Sequence, residues 1–171
     1  MKIKKIYLDT NVFLKLFLDE SESNIIQQLE ELTNNDKVIL VISDWVLNEC
    51  IAVIERKIIE KKIRKKEAFH ILNTIIILIE EKLRHSNLEL YTIERKHIIG
   101  SRIIIQDLNL INASDALHVF IVFVSESNTF LSADISLVNA LKKKTKILTF
   151  TTIDFNNQKE IKKLMKLLEK N

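Results

Sequence analysis

Proline is absent from the sequence and glycine occurs once, at Gly100. A chain so poor in glycine cannot build the loops that let backbone close on a phosphate, and Gly100 lies mid-chain, away from the first strand-to-helix turn. Nucleotide binding of that kind is excluded. Proline-rich and serine-rich linkers are missing, and no fixed-period repeat is present. With 171 residues, 47% of them apolar, the chain has the size and core of one ordinary domain, so residues 1–171 are expected to fold as a single unit. Cysteine also occurs once, at Cys50, which rules out an internal disulfide and a multi-cysteine zinc site. The longest nearly apolar stretches, Ile71 to Ile79 and Ala116 to Val124, fall far short of the roughly 20 residues that cross a bilayer, and no membrane association is expected. Lysines precede an apolar stretch at the start, but Asp9 and Lys15 interrupt it and no small-residue cleavage site follows, so the expected location is the cytoplasm.

Basic residues are abundant by contrast, and they are bunched. The formal net charge is only +3, yet Arg56 to Lys66, Lys142 to Lys146 and Lys159 to Lys170 concentrate positive charge. Such runs are solvated helix faces in the simplest reading, and they also permit a polyanionic partner. Lys142, Lys143 and Lys144 are the candidates for gripping phosphates near a functional crevice.

Short β-branched or alternating stretches recur between helical ones. Strands are expected at Ile3 to Leu8, Val38 to Ile42, Leu88 to Thr92, Thr129 to Ser132 and Ile147 to Phe150. Between them, 3.6-residue periodicity predicts helices: one capped by Asn11, one over Ser23 to Leu32, one from Ser43 or Asp44 to about Glu55, and one over Lys61 to Leu83. Further helices are expected at Arg95 to Leu108, Ser114 to Ser125, Ile135 to Leu141 and Gln158 to Glu169. Alternation of this kind implies a parallel sheet covered on both faces.

Four acids stand out against that frame. In open α/β sheets the loops after the strands converge on one crevice. Asp9 follows the first strand directly and Asp134 lies just past the fourth, so both project into one crevice if those strands are neighbours. Asp115 falls in the first turn of a helix that Ser114 can cap. Glu49 sits among Trp45, Val46, Leu47, Cys50 and Val53, where a carboxylate is costly without a partner, and no single basic residue is evident as that partner. A divalent cation would satisfy all four, because clustered carboxylates repel and supply hard oxygen ligands.

The same residues resemble the PIN-domain family, and in particular the VapC-like toxins of toxin–antitoxin pairs. Leu8-Asp9-Thr10-Asn11-Val12 resembles the first motif of that family, Ser43 through Glu49 the second, Asp115-Ala-Leu-His118 the third and Leu131-Ser132-Ala-Asp134 the fourth. The resemblance implies a Rossmann-like three-layer α/β/α fold with a parallel sheet of about five strands, a Mg²⁺- or Mn²⁺-dependent endoribonuclease hydrolysing RNA phosphodiesters, a homodimer, and an inhibiting antitoxin partner. It assigns Asp9, Glu49, Asp115 and Asp134 as catalytic metal-binding acids, with Thr10, Asn11 and Ser132 as supporting polar groups. Many relatives carry a further acid soon after the fourth motif, where Ile135-Ser136-Leu137 has none, which leaves one ion or two open. A stand-alone RNase of RNA processing and a catalytically degenerate RNA- or protein-binding domain are the alternatives.

Other residues carry less. His118 lies three residues beyond Asp115 on nearly the same helix face, and in so apolar a helix it is read as a hydrogen-bonded packing residue. His70, His85 and His97 lack ligand spacing. Trp45, Phe120 and Phe123 sit among aliphatics and are assigned to the core. A phosphatase of the haloacid dehalogenase type needs a second acid two residues after the first, where Asn11 stands.

Overall fold

In the computed structural model of the chain, residues 4–18, 38–108, 112–151 and Lys166 are described. Among these residues five strands, β1 (Lys4–Leu8), β2 (Val38–Ser43), β3 (Leu88–Tyr91), β4 (Thr129–Ser132) and β5 (Leu148–Thr151), alternate with six helices. These are α1 (Thr10–Leu14), α2 (Asp44–Ile59), α3 (Lys65–Arg84), α4 (Arg95–Leu108), α5 (Ala113–Val124) and α6 (Ile135–Lys144). The helices expected over Ser23 to Leu32 and Gln158 to Glu169 lie outside the described residues, apart from Lys166.

All strand pairs are parallel, in the order β3-β2-β1-β4-β5. Ile6, Tyr7 and Leu8 are buried on both faces of the central strand, which is why this segment reads as a continuous apolar run. From β1 the chain steps outward to β2 and β3, then crosses back to β4 and β5. With right-handed crossovers, the reversal puts α1, α2 and α3 on one face and α4, α5 and α6 on the other. Among the described residues no single helix is long and apolar enough to cross a membrane.

One boundary between expected elements is shifted, and one close helix contact is fixed, for local reasons. Helix α2 runs to Ile59 and α3 begins only at Lys65, so the charged stretch between them is a turn. Lys57, Lys61 and Lys65 would stack like charges at successive i,i+4 positions in one continuous helix. Instead Lys61 adopts a left-handed φ of 56° and the amide of Lys62 donates to the carbonyl of Lys57 at 2.9 Å, closing α2. At the other helix pair, α4 lies close on α5, and Gly100 faces Phe120: a Cβ at Gly100 would stand 2.4 Å from the ring tip. The single glycine is spent on this close approach.

Candidate functional site

Strands β1 and β4 are neighbours, with Leu8 in register with Leu131, and the amide of Asp9 donates to the carbonyl of Leu131 at 2.9 Å. That pairing brings the carboxyl ends of both strands to the point where the strand order reverses, the usual position of a functional crevice. Asp9 enters it from β1 and Asp134 from the turn after β4. Glu49, in the second turn of α2, and Asp115, in the first turn of α5, complete it from the two faces. All four acids line one cleft together with Thr10, Asn11 and His118.

Asp9 is tightly held. Its Oδ1 accepts from the amide of Thr10 at 2.7 Å and its Oδ2 from Ser132 Oγ at 2.6 Å. Ser132 Oγ accepts in turn from the amide of Asp134 at 3.0 Å, so one buried hydroxyl ties the two strand-end acids together. The Asp134 carboxylate caps α6 by accepting from the amide of Leu137 at 2.9 Å. Asp9 itself caps α1, not Asn11 as expected; Asn11 lies inside the first turn and is exposed at the cleft.

Glu49 has the basic partner that the sequence did not reveal. His118, 2% exposed, places Nε2 at 2.9 Å from Glu49 Oε2 and at 3.6 Å from Asp9 Oδ1. Thr10 Oγ1 also donates to Oε2, while Ser114 Oγ and, at 3.1 Å, Trp45 Nε1 donate to Oε1. Each Glu49 oxygen therefore accepts two hydrogen bonds. Ser114 is spent on this contact and does not cap α5; Asn112 does, accepting from the Ser114 amide at 2.9 Å. Trp45 is half-buried at the site instead of lying wholly in the core. Its spacing in α2, four residues before Glu49, is the signal that could have placed it there.

The carboxyls are driven apart electrostatically. Burial opposes ionisation of Glu49, but the hydrogen bond and charge of His118, with Ser114 and Thr10, outweigh it and hold its pKa at about 2. Asp115 is raised above the usual carboxylate range by burial and by the negative charges of Asp134 and Asp9. Burial lowers the affinity of His118 for a proton, yet Glu49 and Asp9 reverse this and raise its pKa. The Cys50 thiol, buried beside the same acids, is pushed up to about 12, first by burial and then by Glu49 and Asp9, and is inert at neutral pH.

A divalent cation fits this chemistry. Asp9, Glu49 and His118 each offer a ligand atom within 4.8 Å of the others. Asp115, half-buried, accepts no hydrogen bond among the described residues, and the repulsion that raises its pKa is what a cation relieves. Carboxylate oxygens are the hard donors that Mg²⁺ and Mn²⁺ favour.

The basic run at Lys142, Lys143 and Lys144 does not border the cleft. It forms the last turn of α6, whose first turn carries the cap Asp134, and a helix of this length separates its ends by about 15 Å. Lys144 Nζ donates to the carbonyl of Asp107 at that far end. Arg56, on α2, lines the cleft in their place, and a neighbouring groove sharing Asn11, Val53 and Arg56 adds Lys15, Lys57 and Lys62.

The model of the PIN domain matches residues 6–171 of the chain. Among solved structures, VapBC2 from Rickettsia felis, bound to a DNA fragment from its promoter, is similar at a TM-score of 0.57 and 19% identity, covering 86% of this chain and 98% of that one. FitAB bound to the IR36 DNA fragment is similar at a TM-score of 0.61 and 14% identity, over 86% of this chain and 94% of that one. PAE2754 from Pyrobaculum aerophilum is similar at a TM-score of 0.55 and 12% identity, over 90% and 92%. A sequence search of curated proteins returned no match. With the motif acids gathered at the strand-order reversal and the family model covering nearly the whole sequence, this chain belongs to the PIN-domain family.

Proposed function

We propose that the chain is a Mg²⁺- or Mn²⁺-dependent endoribonuclease and the toxin of a type II toxin–antitoxin pair. The observation that carries this reading is the convergence of Asp9, Glu49, Asp115 and Asp134, from four separate elements, on one cleft. A purely structural acid has no reason to join three others there, since each addition costs repulsion. In this reading Asp9, Glu49, Asp115 and Asp134 hold the cation, and the hydrogen bonds to both Glu49 oxygens fix where its carboxylate stands.

When bound, the cation polarises a phosphodiester and activates a water for in-line attack. The chain's own residues fix the parts. Ser132 and the Thr10 amide aim the Asp9 carboxylate, Thr10 Oγ1 holds Glu49, and Asn11 stands exposed at the cleft mouth to meet substrate. Arg56 lines the cleft with the acids and takes an adjacent RNA phosphate, the role that Lys142, Lys143 and Lys144, at the far end of α6, do not fill. A toxin setting is supported by the likeness to the VapBC2 and FitAB structures, and implies a small antitoxin partner. Exposed apolar residues on α4, Ile98, Ile99 and Ile103, support a homodimer, which sedimentation would test.

The deciding experiment incubates the purified chain with assorted RNAs and Mn²⁺, with EDTA and Asp9→Asn as controls. Cleavage that both controls abolish is the expected result. An inactive wild type, or a mutant that cuts equally well, would falsify the nuclease reading.

A further inference from the structure

A hydrogen-bonded chain of side chains runs through the core behind the cleft. Ser43 Oγ, at the end of β2, lies 2.9 Å from the Tyr7 hydroxyl on β1. The same hydroxyl lies 2.9 Å from Nδ1 of His118 on α5, whose Nε2 lies 2.9 Å from Glu49 Oε2 on α2. Ser43 and Tyr7 are wholly buried and His118 is 2% exposed. Burying three polar side chains among Ile6, Leu8 and Phe130 is costly unless each is satisfied, and apolar residues of similar shape would pack there without that demand. The one outlet of the chain is the carboxylate at the cleft wall.

Proton bookkeeping gives the chain a direction. An ionised carboxylate only accepts, so Nε2 of His118 carries the hydrogen shared with Glu49. Nδ1 stays paired with the Tyr7 hydroxyl whether the ring is neutral, when Nδ1 accepts, or protonated, when it donates, and the hydroxyl pairs in turn with Ser43 Oγ. The ring can neither flip nor rotate without breaking two of these bonds, and its Nε2 also lies 3.6 Å from Asp9 Oδ1. One N–H thus faces both acids from a fixed place.

Resting on the metal-nuclease reading, we propose that Tyr7 and His118 are positioning residues: through a buried hydrogen-bonded chain anchored at Ser43, they hold the Glu49 carboxylate in one orientation at the cation site. Neither touches cation or substrate. Groups standing one hydrogen bond behind a metal site orient those that face the ion and raise its affinity.

Trp45, the only tryptophan, donates to Glu49, so its fluorescence reports the site directly. The test titrates the full chain with Mn²⁺, following quenching of Trp45, in wild type, Tyr7→Phe, His118→Ala, His118→Gln and Glu49→Gln. Thermal melting checks each fold, and Tyr7→Phe, which keeps the packed ring, carries the test if His118→Ala does not fold. Mn²⁺ affinity should fall about tenfold in Tyr7→Phe and in His118→Ala. His118→Gln, whose amide can still donate to Glu49, should recover most of the loss. In the Glu49→Gln background, Tyr7→Phe should change affinity by less than about twofold, because the route to the cation is already cut.

Unchanged affinity in both Tyr7→Phe and His118→Ala overturns the proposal. So does a loss of equal size in the Glu49→Gln background with no rescue by His118→Gln, which would make His118 a ligand in its own right. A wild type that binds no Mn²⁺ overturns this proposal and the nuclease reading together. One that binds Mn²⁺ but cuts no RNA overturns only the latter.

Discussion

Replacing Gly100 with alanine sets two effects of opposite sign against each other. In an exposed helix interior, glycine to alanine gains about 1 kcal/mol of helix propensity. In α4 the new Cβ would stand 2.4 Å from Cζ and 2.7 Å from Cε2 of Phe120, where carbon atoms pack at about 3.5 to 4.0 Å. The ring must therefore withdraw by more than about 1 Å. His97 blocks part of that retreat, with its ring centroid 6.2 Å from that of Phe120 and 5.4 Å from that of Tyr91 behind it. Overpacking of this kind costs about 1–3 kcal/mol, and at the upper end, to which a partly blocked retreat points, the propensity gain leaves a net loss of about 2 kcal/mol. For a chain of this size that lowers the melting midpoint by about 4–8 °C. Urea unfolding of wild type, Gly100→Ala, Phe120→Leu and the double mutant closes a cycle. In the Phe120→Leu background the ring tip is gone, so the alanine should be neutral or stabilising. If Gly100→Ala alone stabilises by about 1 kcal/mol, Phe120 gives way freely and the close approach of α4 to α5 is not what fixes glycine there.

Three further outcomes are expected. Ser132→Ala strips a donor from Asp9 and an acceptor from the Asp134 amide, and should cost about 2 kcal/mol in thermal or urea unfolding; a loss within experimental error would mean that water replaces the hydroxyl. In EDTA, Asp115→Asn should be more stable than wild type at neutral pH. The raised pKa of Asp115 means that its ionisation costs stability, a penalty absent below its unfolded pKa and complete once pH has risen through the folded one, so the gap should close on acidification; urea midpoints across that range read it, and a gap independent of pH would sink the idea. Measured on Asp9→Asn protein, Arg56→Gln should reduce the salt slope of single-stranded RNA affinity by about 0.7, while joint replacement of Lys142, Lys143 and Lys144 by glutamine should leave affinity unchanged; the reverse ranking would restore the far end of α6 as the RNA contact.

Much of the fold is legible in the sequence, because its determinants are local. The strand Thr129–Ser132 and the helix Arg95–Leu108 coincide with the expected elements, since burial and period coincide within each short segment. The turn between α2 and α3 is less legible: helical spacing survives across it while stacked lysines oppose it. Adjacency of β1 and β4, on which the cleft depends, is a contact between segments more than a hundred residues apart and has no local signature. The acids could be named from their positions, but their partners could not. Ser114 looks like a cap and serves Glu49, and His118 looks like packing and is packed, with its one outward nitrogen on an acid of the cleft. A polar side chain has several possible uses in one fold, and only the tertiary neighbours decide among them.

The pairing of Leu8 with Leu131 also sets an order in time. A chain is made from its amino end, so Asp9 exists long before Asp134 and waits without its neighbour strand while β2, β3 and the crossover helices are produced. Until β4 has been made and has closed that long loop against β1, Ser132 cannot aim Asp9 and there is no cleft. The cleft therefore forms late in synthesis, once this four-residue strand docks and brings Asp134 in behind it.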